Sequence, residues 1–182
     1  MRILGQRRGA YFFVLDAFIA GLIIISSIAL MLSAFSAHQS PSQGLLLAED
    51  YATFLAETEI ASYIGPAVHD MVLNGTINDT HRTLLEQIVV FYHLSVAGDL
   101  QAEGNMTLIL EETSKLVPDN TGLEILIYAS SGPPSGTPVY SRSTNPPESE
   151  AQLRLSSHRI VASVDDNNAL IGPFILEVGL WR

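Results

Sequence analysis

The sequence predicts an α+β protein: a long N-terminal apolar helix, then further helices, then a C-terminal antiparallel β-sheet. Three observations support this prediction. Residues 10–37 carry one charge, Asp16, in twenty-eight positions. Apolar residues then recur at helical spacing as far as Val117, and they alternate with polar residues from Leu123 onward. Helices followed by consecutive strands favour helices packed against an antiparallel sheet.

The first apolar segment, residues 10–37, is long enough to cross a membrane. As a helix it would span about 42 Å, against a hydrocarbon core of about 30 Å. A secretory signal has a shorter apolar run, of about 7–15 residues, and Ser33–Ala37 would be the alternative place for conventional cleavage. Three arginines precede the segment and predict a cytoplasmic N-terminus: Arg2, Arg7 and Arg8.

We therefore divide the chain into three parts. Residues 1–9 form a basic leader, residues 10–37 a transmembrane or assembly helix, and residues 38–182 an extracytoplasmic α+β head. The expected location is the cell membrane, in a single pass with the C-terminal domain outside.

Helical periodicity continues into the head. Ser40–Gly44 predicts a break, because Pro41 interrupts helical hydrogen bonding. Residues 45–64 predict the next helix, and residues 100–117 predict another. Between them, Asn78-Asp79 is a suitable N-cap for a helix over residues 80–97.

The remaining residues favour strands separated by turns. Residues 131–150 contain five prolines and predict a loop. The predicted strands are Leu123–Ser130, Gln152–Val164 and Pro173–Trp181, with a short additional strand near Val139–Arg142.

Charge and composition exclude several classes of function. Residues 38–182 hold six Lys and Arg against eighteen Asp and Glu, a balance that repels nucleic-acid phosphates. The chain has no cysteine, which excludes thiol catalysis and iron–sulfur clusters. A head of this length can bury enough core without disulfides.

No catalytic or metal motif is apparent in the sequence. The five histidines, at positions 38, 69, 81, 93 and 158, include no pair at zinc-ligand spacing. The run Asp165–Asn168 lacks the glycine and terminal glutamate of a calcium loop. P-loop, dinucleotide-binding and serine-hydrolase motifs are also missing. We therefore expect no metal, no cofactor and no enzymatic activity.

Three N-x-Thr sequons are candidate glycosylation sites on an exported domain. They begin at Asn74, Asn78 and Asn105. The first two lie in a predicted loop, where a glycan acceptor needs to be. Asn78 serves equally well as a turn residue or N-cap, and Asn105 is less suitable because it lies in or beside a predicted helix.

The N-terminal residues resemble a known signal. Arg8-Gly9 followed by AYFFVLDAFIAGLIIISSIALML resembles the class III signal of type IV pilin-like proteins, especially archaeal ones. The resemblance implies that a prepilin peptidase cuts between Gly9 and Ala10. The helix then stays on the mature protein and becomes the core of a filament.

The resemblance also assigns a role to Asp16. In the family, an acid near the new N-terminus neutralises the free amine of a neighbouring subunit. That acid usually stands fifth, whereas Asp16 is seventh if Ala10 is first and fifth if Phe12 is first. From the residues alone, Asp16 could instead reach lipid headgroups on the cytoplasmic side.

Two functions follow from these observations. The first is a structural subunit, major or minor, of an archaeal type IV pilus-like surface filament. Its partners would be the membrane, the prepilin peptidase, and copies of itself or other pilin-like subunits, with no nucleic acid. Apolar side chains such as Phe12, Phe13 and Phe18 would pack against equivalent helices. The alternative is a single-pass, signal-anchored binding or adhesion protein that does not polymerise.

Overall fold

The computed structural model describes residues 6–37, 41–129, 138–143, 148–151, 153–164 and 169–181. In the first helix, the described side chains are those from Val14 to Met31. The chain divides into two compact units, residues 1–40 and 41–182. The predicted α+β class is confirmed: an N-terminal apolar helix and four further helices precede a four-stranded antiparallel sheet.

The predicted helices and strands occur in the predicted order, but the helix predicted over residues 45–64 ends at Glu57, and a short helix, Pro66–Leu73, follows it. The helices are α1 Gln6–Ala37, α2 Pro41–Glu57, α3 Pro66–Leu73, α4 Leu84–Val96 and α5 Leu100–Ser114. The strands are β1 Gly122–Ala129, β2 Tyr140–Arg142, β3 Arg154–Val164 and β4 Leu170–Trp181. Short 3-10 turns cover residues 60–62 and 148–150.

The sheet has the order β2-β1-β4-β3. Ile125 pairs with Val178, and Ile127 with Leu176. Alternation along a strand puts these four side chains on one face of the sheet. They are fully or almost fully buried and share one core with the inner faces of α2, α4 and α5. These three helices therefore cover one face of the sheet.

The start of α4 differs from the prediction. The sequence predicts the N-cap at Asn78-Asp79, but the cap is Thr83. Thr83 Oγ1 accepts a hydrogen bond from the Glu86 N–H (3.2 Å), and Glu86 Oε2 accepts one from the Thr83 N–H (2.8 Å). This is a complete capping box. The preceding residues cannot join the helix because their backbone is bonded elsewhere: the Thr80 carbonyl accepts from Ala61 N–H at 2.9 Å.

The predicted break at Ser40–Gly44 is also corrected in part. Pro41 is the first residue of α2, and Gly44 lies within that helix. Proline is well suited to the first position of a helix, where its missing N–H would have no partner in any case. Ser40 lies outside the described residues.

The strand predictions are confirmed with shifted ends. β4 begins at Leu170, three residues before the predicted Pro173. Register changes between Val161, which faces Phe174, and Ser163, which faces Ile171. One extra residue of β4 is accommodated there. Proline is tolerated at such a bulge, so Pro173 lies within the strand.

Among the described strands, β3 pairs only with β4 and forms an edge of the sheet. Arg159 of this strand spans to α2. Its guanidinium donates to the His158 carbonyl (3.2 Å) and to Thr53 Oγ1 (2.8 Å), and it lies 3.7 Å from the Glu49 carboxylate. The contacts with Thr53 and Glu49 attach the strand to the helix.

Candidate assembly helix and modification sites

α1 is a continuous helix of 32 residues. Within it, Val14–Met31 is the one stretch of the described chain that is long and apolar enough to cross a membrane. Asp16 is its sole charged residue.

The α1 surface from Val14 to Met31 is apolar on every side. Val14 and Phe18 are each 68% exposed, and Met31 is 72% exposed. Ile23, Ile24 and Ile25 are consecutive and all exposed, so they point in three directions about 100° apart. A helix that is apolar all round is suited to lipid or to the interior of a helical bundle.

The polar side chains of this stretch differ in whether they are hydrogen-bonded within the chain. Ser27 Oγ donates to the Ile23 carbonyl at 2.8 Å, so its hydroxyl is satisfied within the helix. The Asp16 side chain is exposed, and no hydrogen bond or ion pair within the described parts of the chain involves its carboxylate. Asp16 therefore has the capacity to bind a donor from outside this chain.

Small side chains lie beside Asp16 on α1. Ala17 and Gly21 are four residues apart, so they lie on the same face, one turn from each other. A Cβ added at Gly21 would have no atom within 4 Å. This face permits another helix to approach closely.

The predicted processing residues lie at the beginning of α1. The backbone of Arg8, Gly9 and Ala10 is helical. The side chains of Phe12 and Phe13 lie outside the described part of the chain, whereas the exposed Phe18 belongs to the apolar surface.

Two of the three sequons lie in the α3–α4 connection, which we define as residues 74–83. Asn74 and Asn78 are both exposed, while Thr76 and Thr80 are half-buried. Asn74 ends α3, and its Oδ1 accepts a hydrogen bond from the Thr76 N–H at 3.0 Å. Asn105, by contrast, is half-buried within α5.

In the part of the chain that the structure describes, the histidines and acidic residues form a pair but no larger cluster. No group of three His, Asp or Glu side chains in the described ranges could hold a metal ion. His158 Nε2 lies 3.5 Å from Glu177 Oε2, in a pair on β3 and β4. The acidic run Asp165–Asn168 lies outside the described residues.

Arg142 is a structural anchor that the sequence analysis did not find. Its guanidinium donates to the carbonyls of Ser114, Val117, Pro118 and Thr121 at 2.8–3.1 Å. A cation at a helix C-terminus also interacts favourably with the helix dipole. The side chain thereby fixes the end of α5 to the sheet.

Glu124 and Arg154 form an ion pair on the sheet face that lies opposite the helices. Arg154 Nη2 lies 2.6 Å from Glu124 Oε2, and Arg154 Nη1 also contacts Glu148. Burial and the neighbouring Glu148 raise the pKa of Glu124 above its ordinary value, although Arg154 opposes them. Period-two alternation puts Glu124 on the outer face, but the sequence alone does not identify Arg154 as its partner.

Comparisons with protein-family models, with curated proteins and with solved structures find no match to this chain.

Proposed function

We propose that this protein is a structural subunit, major or minor, of an archaeal type IV pilus-like surface filament. Before assembly, α1 would hold it in the membrane with the head outside. The observation that carries the proposal is the all-round apolar surface of α1 with one carboxylate, Asp16, shortly after Arg8-Gly9. A helix that only anchors a protein in the membrane needs the apolar surface but does not need the Asp16 carboxylate.

The forces available for assembly explain why Asp16 matters. Lipid is as apolar as the side chains of α1, so moving the helix from lipid into a filament gains little hydrophobic free energy. An acid near the centre of a membrane costs about 2.5–3.5 kcal/mol, and less near an end. Pairing with a cation on another subunit removes that cost and favours assembly.

Cleavage after Gly9 would create such a cation. Glycine inside a helix is about 1 kcal/mol less favourable than alanine, so the helix opens most easily near the bond to be cut. The product carries a free amine on Ala10. The carboxylate of Asp16 lies six residues further along, or about 9 Å along the helix axis.

That separation favours a contact between subunits. An amine and a carboxylate about 9 Å apart along one helix cannot pair with each other. A neighbouring helix displaced by about the same distance brings its amine to Asp16. If Phe12 is the first mature residue, the displacement falls to about 6 Å.

The first test is the N-terminus of the mature protein. We expect mass spectrometry of the membrane-derived chain to give an N-terminus at Ala10, or at Phe12 for the alternative cut. Replacing Gly9 with Val should leave the leader attached, because a branched side chain prevents close approach of the peptidase at that position. An intact Met1 would favour the signal-anchored protein that does not polymerise, and an N-terminus near His38 would indicate conventional signal cleavage.

The second test is the charge of Asp16. Asp16→Asn keeps the shape of the side chain and removes its charge, so we expect at least tenfold less subunit in the sheared surface fraction. Asp16→Glu keeps the charge and should restore part of the incorporation. Total membrane-bound protein should remain unchanged in both variants, since every apolar residue of Val14–Met31 is kept.

Equal incorporation of Asp16→Asn and the unaltered protein would contradict the pairing. A matched control is Ser27→Ala, which removes a hydroxyl that is already bonded within the helix. We expect this control to assemble normally.

A further inference from the structure

The three sequons of the chain have the same chemistry but different local structures. Glycan transfer requires the asparagine amide and the threonine hydroxyl of one N-x-Thr sequence to enter the same active site. Both side chains must therefore be reachable from one direction. This requirement distinguishes the three sites.

The sequon at Asn105 does not meet the requirement in the folded head. Residues two apart in a helix are rotated by about 200°, so Asn105 and Thr107 point to different sides of α5. The Thr107 hydroxyl already donates to the Glu103 carbonyl at 2.9 Å. Presenting both groups together would require opening of α5, whose inner face holds the fully buried Ile109 and Leu110.

The sequon at Asn78 is exposed but held by long-range contacts. The Thr80 carbonyl accepts from Ala61 N–H at 2.9 Å, and the Arg82 carbonyl accepts from Ile60 N–H at 3.0 Å. A transferase would have to separate this segment from residues 60–61 before binding it. Such local opening costs free energy.

The sequon at Asn74 is held by local contacts only: the Asn74 and Gly75 N–H groups donate to the Asp70 and Val72 carbonyls of α3 at 3.0 and 3.2 Å. The Asn74 Oδ1 bond to the Thr76 N–H spans two residues, and no hydrogen bond to Asn74 Nδ2 is formed within the described parts of the chain. Gly75 between them has a φ of +78°, and a Cβ built there would meet no atom within 4 Å. Asn74 and Gly75 are exposed and Thr76 is half-buried, so the amide can be reached from solvent and the residue between it and the threonine does not block access.

We infer that Asn74 carries an N-linked glycan and that the fold selects it over Asn78 and Asn105. The glycan donor would be an oligosaccharide joined to a lipid phosphate. The Asn74 Nδ2–C1 bond forms as the bond from C1 to the carrier phosphate oxygen breaks. A base of the transferase takes the amide proton, and the lipid phosphate leaves. The inference rests on one part of the proposed function, namely that the head lies outside the cell membrane.

Thr76 provides a matched pair of variants for the test. Thr76→Val keeps the shape of the side chain and the backbone N–H that binds Asn74, but it removes the hydroxyl. Thr76→Ser keeps the hydroxyl. The full-length protein would be produced in the cells that naturally make it, and digested with a protease that cuts after glutamate.

Digestion after glutamate separates the sites that need to be compared. Cuts at Glu59 and Glu86 release residues 60–86 with Asn74 and Asn78, and cuts at Glu103 and Glu111 release residues 104–111 with Asn105. Fragmentation of the first peptide then distinguishes its two asparagines. We expect a glycan on Asn74 in the unaltered protein and in Thr76→Ser, and at least a tenfold lower occupancy in Thr76→Val.

An unmodified Asn74 in the unaltered protein would overturn the inference. So would modification of Asn78 or of Asn105 to the same extent as Asn74, because the fold would then have made no selection between them. The N-terminal peptide of the same sample is read separately. If the N-terminus is processed and Asn74 carries no glycan, this inference is wrong but the filament proposal stands. If the N-terminus is unprocessed and Asn74 carries a glycan, the filament proposal is contradicted but this inference stands.

Discussion

At the scale of single residues, Arg142 is the side chain whose loss we expect to destabilise the head most clearly. Arg142→Ala removes donors to four carbonyls at and after the end of α5. Hydrogen bonds that involve a charged group contribute more than neutral ones, so we expect a loss of about 3 kcal/mol in the free energy of unfolding. Arg142→Lys keeps the charge but not the planar fork, and it should lose about half as much.

The measurement is urea unfolding of the full chain in detergent, followed by tryptophan fluorescence. Trp181 is the single tryptophan and is 2% exposed, so its emission reports unfolding of the sheet. Arg159→Ala is the matched control. Its partly exposed contacts with Thr53 and Glu49 should contribute less than about 1 kcal/mol. Equal losses from Arg142→Ala and Arg159→Ala would contradict the anchoring role of Arg142.

The role of Arg142 could not be predicted from the sequence. Its four partners lie 21–28 residues earlier in the chain. No local pattern connects a short strand after a proline-rich stretch with the end of a preceding helix. Arg142 and these carbonyls come together only in the folded head. Asp16 could be singled out for the opposite reason, because one acid in an apolar stretch stands out without any tertiary information; its role in assembly stays a prediction.

At the scale of secondary-structure elements, the start of α4 gives a test between two caps. Thr83→Ala removes the N-cap hydroxyl, and we expect a loss of about 1 kcal/mol in the free energy of unfolding. Thr83→Ser should keep most of the stability because its hydroxyl can still accept from Glu86 N–H. Asn78→Ala removes the cap that the sequence pattern favours, and it should change stability by less than about 0.5 kcal/mol.

The same fluorescence measurement compares the three α4 variants. A loss for Asn78→Ala as large as that for Thr83→Ala would show that the helix begins earlier. The sequence contained the correct signal, since Thr83 and Glu86 stand at capping-box spacing. Asn78-Asp79 matches the simpler preference for Asn or Asp at an N-cap. The hydrogen bonds of residues 80–82 with residues 60–61 keep this segment out of the helix, so Thr83 is the cap.

At the scale of the whole molecule, the order of elements was predictable and their contacts were not. A change from helical to alternating periodicity near residue 120 was sufficient to predict helices followed by strands. The sheet order β2-β1-β4-β3 depends on which strands pair with one another across long connections. Local sequence patterns do not predict that pairing. The extra residue in β4 likewise became apparent only from its register against β3.

The edge strand β3 has a consequence for the proposed filament, in which copies of the head would stand side by side. Exposed strand edges can pair with one another and cause aggregation, and long edges are the most prone to it. β3 has 11 residues. Arg159 lies near the middle of this strand and is bonded to α2, and a charged residue on an edge strand opposes pairing with a second strand. In the proposed filament, this arrangement would oppose pairing between the sheets of neighbouring heads and would leave ordered association to the N-terminal helices.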